Sequence, residues 1–442
     1  MLSRSTDVLF LRSLLMLLTV FITTNCVFAH STKEGGKKYN TADMLHLFES
    51  AFNRIQDDYV EEETAKTLVE SAINGMLSDL DPHSGFLDAK SFQEMTLKTE
   101  GEFGGLGIEV TSQDGLIKVV SPIDDTPAMK AGLEPNDYIT HIDGDSIVGL
   151  DLSSAVDRMR GKIGTKINIT IRRVGSEPFD VEITRALIRV RPVRAENYGH
   201  TAYIRITTFN KQTLIGLQRN IKKARRELGE DLRGYVIDLR NNPGGLLDQA
   251  VAVSDAFLNS GEIVSTRGRR KADTSMHFAK EGDLTAGKPI VILINNGSAS
   301  ASEIVAGALQ DHNRAVVVGE KSFGKGSVQT LIPLPDYGAM RLTTARFYTP
   351  SGRSIQAEGI VPDIIIKRAK VEEISVKPLI GSESDLVGAL TNTDKKTDQG
   401  EKPSQQETLT DAQQEKLTKD YQLARAMDIL KAVSLYNSYG RK

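Results

Sequence analysis

Residues 289–310 fix one unit of the fold before anything else does. Pro289 to Ile294 (PIVILI) is an unbroken apolar run, the pattern of a strand buried on both faces. Asn296-Gly297 ends it. Ile304, Val305, Ala308 and Leu309 then recur at helical spacing between Glu303 and Gln310. The same alternation holds on both sides: AYIRITTF, GYVIDL and AVVVG read as strands, and helices are expected at 212–228 and 246–257. This repetition predicts an α/β core of mainly parallel strands with crossover helices over about 200–368.

The turn inside that unit carries chemistry. Ser300 sits where strand gives way to helix, beside amides that the first helical turn leaves unpaired. Such amides can hold an oxyanion as well as a cap. Ser300-Ala301-Ser302-Glu303 also fits a capping box, so this segment alone leaves nucleophile and cap both open. A serine nucleophile needs a base, and a lysine kept neutral by burial can serve. Lys325 follows in a glycine-flanked turn, where apolar neighbours such as Phe323 could desolvate it. Gly319 to Lys325 also matches the start of a phosphate-binding loop, but Gly326 stands where that loop needs Ser or Thr. SVQTLIPL then favours a strand, not the helix a phosphate loop requires. On such a strand Lys325, Ser327 and Gln329 share a face, and Gln329 could orient the lysine amine. No histidine is needed: His312 ends a helical segment and His277 lies in a polar loop, so both read as surface residues.

Upstream, residues 96–186 form a β-rich module in which GLGIEV, GLIKVVSPI, DYITHIDGDSI and KINITIRRV alternate as strands do. Short helices suit 128–131 and 152–159. The glycine turn at 104–107 exposes amides that could hold a terminal carboxylate, with a peptide added as a strand beside Ile108 and Val110. A plain hairpin turn fits the same residues. Asn40 to Asp81 reads as two helices with stripes Leu45, Phe48, Phe52, Ile55 and Leu68, Ala72, Ile73, Met76, Leu77. The turn at Asp81 to Gly85 includes His83, which has no nearby cluster that would make it a metal ligand. Residues 381–411 read as a polar linker. Ala412 to Tyr436 reads as one helix whose stripe must dock, either on its own core or in a dimer.

Length and charge set the outer limits. A chain of 442 residues with 39% apolar content should hold more than one domain. A net charge of −3 gives no basic signature for nucleic acid. At the N-terminus, Arg4 and Arg12 flank an apolar run, Leu14 to Ile22, that is short for a bilayer span. Val27-Phe28-Ala29 suits cleavage before His30, so 1–29 reads as a signal peptide, with an uncleaved anchor as the other reading. Cleavage would remove Cys26, the single cysteine, and leave no disulfide.

Seven motifs also stand in one order: LDPHSGFL at 80–87, GLGIEV at 105–110, DLRNNPGG at 238–245, GSASASEI at 297–304, FGKGSVQ at 323–329, YTPSGRSIQ at 348–356 and GIVPD at 359–363. Over about residues 40–370 the chain thereby resembles the carboxyl-terminal processing, or tail-specific, proteases. These are serine peptidases with a Ser–Lys pair and a PDZ domain. The resemblance implies a PDZ domain at 96–186 and a crotonase-like α/β protease core at 187–370, and with the residue patterns around them the expected protein is multidomain α+β: signal peptide 1–29, helical segment 30–95, these two domains, linker 371–411 and C-terminal helix 412–442. It implies Ser300 as nucleophile, chosen over Ser298 and Ser302 by the family's spacing to the lysine, with Lys325 as general base and Gln329 positioning it. The Gly244 and Ala301 amides would form the oxyanion hole. Gly105, Leu106, Gly107 and Ile108 would bind the substrate's C-terminus, and Arg160 would link that event to the core. No metal or cofactor is implied, and no nucleic acid. The expected protein is exported and periplasmic, with a signal anchor in the inner membrane as the other location. Peripheral membrane association and a homodimer stay open. A PDZ adaptor or holdase with an inactive core is the rival function. A hydratase acting on acyl-CoA would share the fold without needing Lys325, Gln329 or an inserted PDZ domain.

Overall fold

The computed structural model describes residues 40–113, 115–123, 126–189, 191–370, 383, 386–390 and 409–439. The segment read as a signal peptide, with Cys26, and nearly all of the linker lie outside them. Contacts divide the chain after Ile73. In the first unit, helix α1 (Thr41–Asp58) begins where the Asn40 side chain accepts a hydrogen bond from the Asp43 amide. Leu45, Phe48 and Ile55 of its stripe are exposed and Phe52 is half-buried, no residue of the helix is fully buried, and the Phe48 and Phe52 rings stack 6.4 Å apart. Helix α2 (Ala65–Ser78) runs across the division.

The second unit opens with the turn at 80–85, then β1 (Gly85–Asp88) and α3 (Ala89–Glu100). The helix ends at Gly101, whose φ of 69° is the left-handed conformation that suits glycine. Strand β2 (Glu102–Gly105) leads into the β-rich module. There β3 (Ile108–Gln113), β4 (Leu116–Pro122), α4 (Pro127–Lys130), β5 (Tyr138–Ile142), β6 (Asp145–Ser146), α5 (Leu152–Met159), β7 (Lys166–Arg172) and β8 (Phe179–Thr184) follow. The antiparallel order is β3-β4-β5-β7-β8, which leaves β3 at an edge. Alternate residues point inward as the period of two demands, and Ile117, Val119, Ile139, Ile167, Ile169 and Ile171 fill the module's own core. Strand β9 (Ala186–Arg189) leaves the module antiparallel to β2, so the module is inserted on a two-stranded stalk.

The core follows as β10 (Val193–Tyr198), β11 (Thr201–Ile206), α6 (Thr213–Leu228), β12 (Gly234–Asp238), α7 (Leu247–Asp255), β13 (Glu262–Gly268), β14 (Ser275–Phe278), β15 (Ile290–Ile294), α8 (Ala301–Asp311), β16 (Val316–Gly319), β17 (Ser327–Leu334), β18 (Gly338–Tyr348), β19 (Ile364–Ile365), α9 (Asp411–Lys419) and α10 (Tyr421–Tyr439). The order β10-β11-β12-β15-β16-β19 is parallel except at the β10 edge, as the alternation of strand and helix predicts. Leu217, Ile221, Val253, Ile304 and Leu309 of α6, α7 and α8 pack on one face. Leu423, Ala426 and Leu430 of α10 pack on the other, against Val236, Val291, Leu293 and Val318. The C-terminal segment therefore docks on the chain's own sheet, with Leu430 of the expected stripe buried beside Leu423 and Ala426, and Leu417, Tyr421 and Met427 half-buried against it.

Three details depart from the sequence reading. A second, antiparallel sheet, β1-β18-β13-β14 with β17 also on β18, was not expected. The terminal helix is two helices, because Asp420 turns its carboxylate to the Leu423 amide and starts a new one. The supposed surface histidines are part of the structure: His277 lies in β14, and His312 is half-buried with its Nε2 2.6 Å from the Glu262 carbonyl oxygen.

Candidate active site

Ser300 occupies the turn between β15 and α8 with φ 55° and ψ −114°. A non-glycine residue there stores roughly 1–3 kcal/mol and needs a surround that holds it. Asn295 and Asn242, both fully buried, supply it. Asn295 Oδ1 accepts from the amides of Asn241 and Gly297. The Asn242 carbonyl accepts from Ala299 N and Ser302 Oγ. Ser298 Oγ donates to the Leu239 carbonyl at 2.8 Å. Ser298 and Ser302 are thus buried structural hydroxyls. Of the three serines, only Ser300 has a partly exposed hydroxyl with no hydrogen-bond partner among the described residues.

Half of the capping box forms. Glu303 Oε2 accepts the Ser300 amide at 2.7 Å, while Ser300 Oγ makes no cap bond. The rest of this carboxylate serves another segment. Oε1 accepts Ser322 Oγ and Gly324 N, each at 2.6 Å, and Oε2 also accepts Lys325 N at 2.9 Å. Glu303 is fully buried and accepts four hydrogen bonds. Even so, burial pushes its pKa above the ordinary carboxylate value, against the pull of those donors.

Lys325 is half-buried, and among the described residues its amine has no hydrogen-bond partner. Burial pushes its pKa below the ordinary value and the charge of Arg341 adds to this, while Asp81 and Glu303 oppose it. Two expectations need correction. Phe323 is 63% exposed and is no desolvating wall. Lys325 precedes β17, which starts at Ser327, because Glu303 draws its amide toward α8. Ser327 and Gln329 do share a face: Gln329 Nε2 donates to Ser327 Oγ at 2.8 Å and to Thr343 Oγ1 at 3.3 Å.

The DLRNNPGG segment lies against this turn. A Cβ placed on Gly244 would stand 2.9 Å from Ser300 Cβ and from Ala301 N, so only glycine permits the approach. The Gly244 amide, however, already donates to Asn242 Oδ1 at 2.9 Å. Ala301 N and Gly245 N donate to no acceptor among the described residues. Arg240, at the head of the segment, is clamped between Asp238 and Asp420 at 2.7 Å from each.

In the inserted module, Gly107 has φ 82°, and a Cβ there would fall 2.3 Å from Thr126 Cβ. Gly105, Leu106, Gly107, Ile108 and Arg160 line one groove of about 100 Å³ beside edge strand β3. The Arg160 guanidinium lies 5.0 Å from the Phe103 ring centroid, and its Nε is buried without a partner among the described residues.

Comparison with known proteins fits this geometry. Residues 200–366 match Peptidase family S41, residues 104–184 match the PDZ domain family, and residues 20–91 match the activating protease CtpB N-terminal domain. A carboxy-terminal-processing protease of Bartonella bacilliformis is 52% identical over 373 residues, spanning 84% of this chain and 86% of the relative. The chain belongs to peptidase family S41. A CtpA-like serine protease of Staphylococcus epidermidis is 35% identical to the S41 peptidase described here, over 82% of this chain and 74% of the relative. The photosystem II D1 C-terminal processing protease, a solved structure, is 28% identical with a TM-score of 0.43, over 73% of this chain and 92% of that one. Sequence reasoning missed the second half of Glu303's role, Arg240 with Asp420, and Ser84 with Thr343. The capping box was the one signal that named Glu303.

Proposed function

We propose that this S41 serine peptidase, a carboxy-terminal-processing protease, cuts protein chains by attack of Ser300 Oγ on the scissile carbonyl. Lys325, whose pKa burial lowers, takes the hydroxyl proton in its neutral form and passes it to the leaving amine. Water then attacks the acyl-serine ester, losing a proton to Lys325, which returns it to Ser300 Oγ as the ester bond breaks and the acid leaves. Gln329 orients the lysine, and Ala301 N with Gly245 N receives the developing oxyanion. The observation that carries this reading is the free Ser300 hydroxyl, set against buried, bonded hydroxyls at Ser298 and Ser302.

The PDZ groove takes the substrate's free C-terminus. The carboxylate meets the turn at Gly105 to Ile108, and the tail adds as a strand to β3. The basic and apolar N-terminus supports export, with a periplasmic location and a signal anchor as the alternative. Homodimers belong to the same proposal, with the exposed stripe of α1 as a candidate surface. The test is a purified soluble protein lacking residues 1–29, incubated with unfolded substrates that differ only at their C-termini. Cleavage that Ser300→Ala abolishes supports the reading. Tail binding without cleavage of any substrate favours the adaptor.

A further inference from the structure

The turn at Asp81 to Gly85 stands more than two hundred residues before Lys325 in the chain, yet it lies against the strands that carry Gln329. Asp81 organises it. Its Oδ1 accepts the amides of His83 and Ser84 at 2.8 and 2.9 Å, and its Oδ2 accepts the Ser84 hydroxyl at 2.8 Å. A hydroxyl has one hydrogen, so with that hydrogen on Asp81 the Ser84 oxygen can only accept. It accepts the Thr343 amide at 3.1 Å and lies 3.5 Å from Thr343 Oγ1. Thr343 Oγ1 in turn accepts one amide hydrogen of Gln329, and Ser327 Oγ accepts the other. Both N–H groups of Gln329 are thereby used, and its oxygen is the end left to face an amine. Ser84 and Ser327 are 6% and 7% exposed, so water competes little along this path.

We propose that Asp81 and Ser84 are positioning residues of the peptidase, acting through Thr343 on the Gln329 amide and so on the Lys325 amine. This rests on Lys325 being the base. An amide oxygen that receives an amine N–H turns the nitrogen lone pair toward the serine, whereas an amide turned over would offer hydrogens to an amine that must accept one.

The same turn also fixes a cation. The His83 carbonyl accepts Arg341 Nε at 2.7 Å, and Gly85 pairs with Arg341 across β1 and β18. A Cβ on Gly85 would lie 3.9 Å from Arg341 Nη2. Arg341 from β18 lowers the Lys325 pKa, and Asp81 from the turn and Glu303 from α8 raise it. His83 is held below its ordinary value by burial and by the charge of Lys325.

The test is the pH dependence of kcat and KM on one peptide substrate for wild type, Thr343→Val, Thr343→Ser, Ser84→Ala, Arg341→Met and Lys325→Ala, with a thermal melt of each. Thr343→Val and Ser84→Ala should each lower kcat about tenfold with KM unchanged. Both should move the rising limb to lower pH, because an ammonium loses its acceptor. Thr343→Ser should restore rate and limb together. Arg341→Met should move the limb the other way, to higher pH. A Thr343→Val enzyme with the wild-type rate and limb, beside an inactive Lys325→Ala enzyme, overturns the positioning role and spares the base. A Thr343→Val enzyme with a lower melting temperature but an unmoved limb overturns it too, since that is a structural effect alone. An active Lys325→Ala enzyme removes the base reading, and the proposal falls with it.

Discussion

Ser300 and Lys325 share one acceptor: their backbone amides both donate to Oε2 of Glu303, at 2.7 and 2.9 Å. The two nitrogens can lie no farther apart than those two bonds laid end to end. One buried carboxylate thus joins the helix start that carries the serine to the loop that carries the lysine. A buried charge is costly unless donors surround it, and Glu303 has four.

Glu303→Gln should break this joint without adding bulk. Glutamine keeps one oxygen, and its NH2 must face donors that the carboxylate had accepted. Each donor left without an acceptor costs about 1–3 kcal/mol. Denaturant unfolding should show that loss, and kcat should fall about a hundredfold or more as the dyad loosens. Wild-type kcat in a folded Glu303→Gln enzyme would remove the joint from the account.

The dyad itself should behave as one unit. Ser300→Ala and Lys325→Ala should each abolish cleavage with the fold intact, and the double variant should be no worse than either. Lys325→Arg should be inactive, since a guanidinium does not give up its proton. The depressed Lys325 pKa makes the neutral amine available at lower pH than an ordinary lysine allows, so the rate should rise with pH through one ionisation below 10.5. A flat profile from mildly acidic to strongly alkaline pH argues against lysine as base.

The C-terminal helix reaches the DLRNNPGG segment through Arg240. Asp420 begins α10 and holds the guanidinium, while the next residues lead to Gly244 and Gly245. Asp420→Ala leaves part of a buried cation unpaired, a loss of about 3 kcal/mol or more. It should also lower kcat more than it raises KM. Hydrogen bonds and the charge of Arg240 hold the Asp420 carboxyl below its ordinary value of 3.8 despite burial. Its stabilisation is therefore full above that value and lost as pH falls through the lower folded pKa. Acid unfolding of wild type and Asp420→Asn should diverge at neutral pH and converge in strong acid. Parallel curves throughout would contradict this.

Much of this was legible in the sequence because it is local. PIVILI gives β15 by its unbroken apolar run, and the spacing of Ile304, Val305 and Leu309 gives the helix α8, which is buried all round from Ala301 to Leu309. The glycine turn of the PDZ module could be read for the same reason: Gly107 needs a left-handed backbone. The antiparallel sheet was not legible, because β1 and β18 are joined by register across more than two hundred residues. The break at Asp420 was hidden too. Only the folded chain brings Arg240 to that carboxylate, and a helical stripe continues on both sides of it. The bond from the Gly244 amide to the Asn242 side chain two residues away was not legible either, because motif spacing does not reveal it.

Gly107→Ala tests the groove apart from the chemistry. With φ 82° and Thr126 in the way, an added methyl must move the carboxylate-binding turn. A tail peptide should bind at least tenfold more weakly to Ser300→Ala/Gly107→Ala than to Ser300→Ala, by calorimetry or fluorescence anisotropy. Equal affinity would place tail recognition elsewhere.

The most direct measurement is the cleavage rate of one unfolded protein made with a free and with an amidated C-terminus, followed by mass spectrometry for wild type and Ser300→Ala. Amidation removes a charge-assisted contact worth about 1.5–3 kcal/mol. The free tail should therefore be cut about tenfold faster or more at low substrate concentration, and Ser300→Ala should cut neither. Equal rates for the two tails, or cleavage by Ser300→Ala, would contradict a tail-directed peptidase built on Ser300.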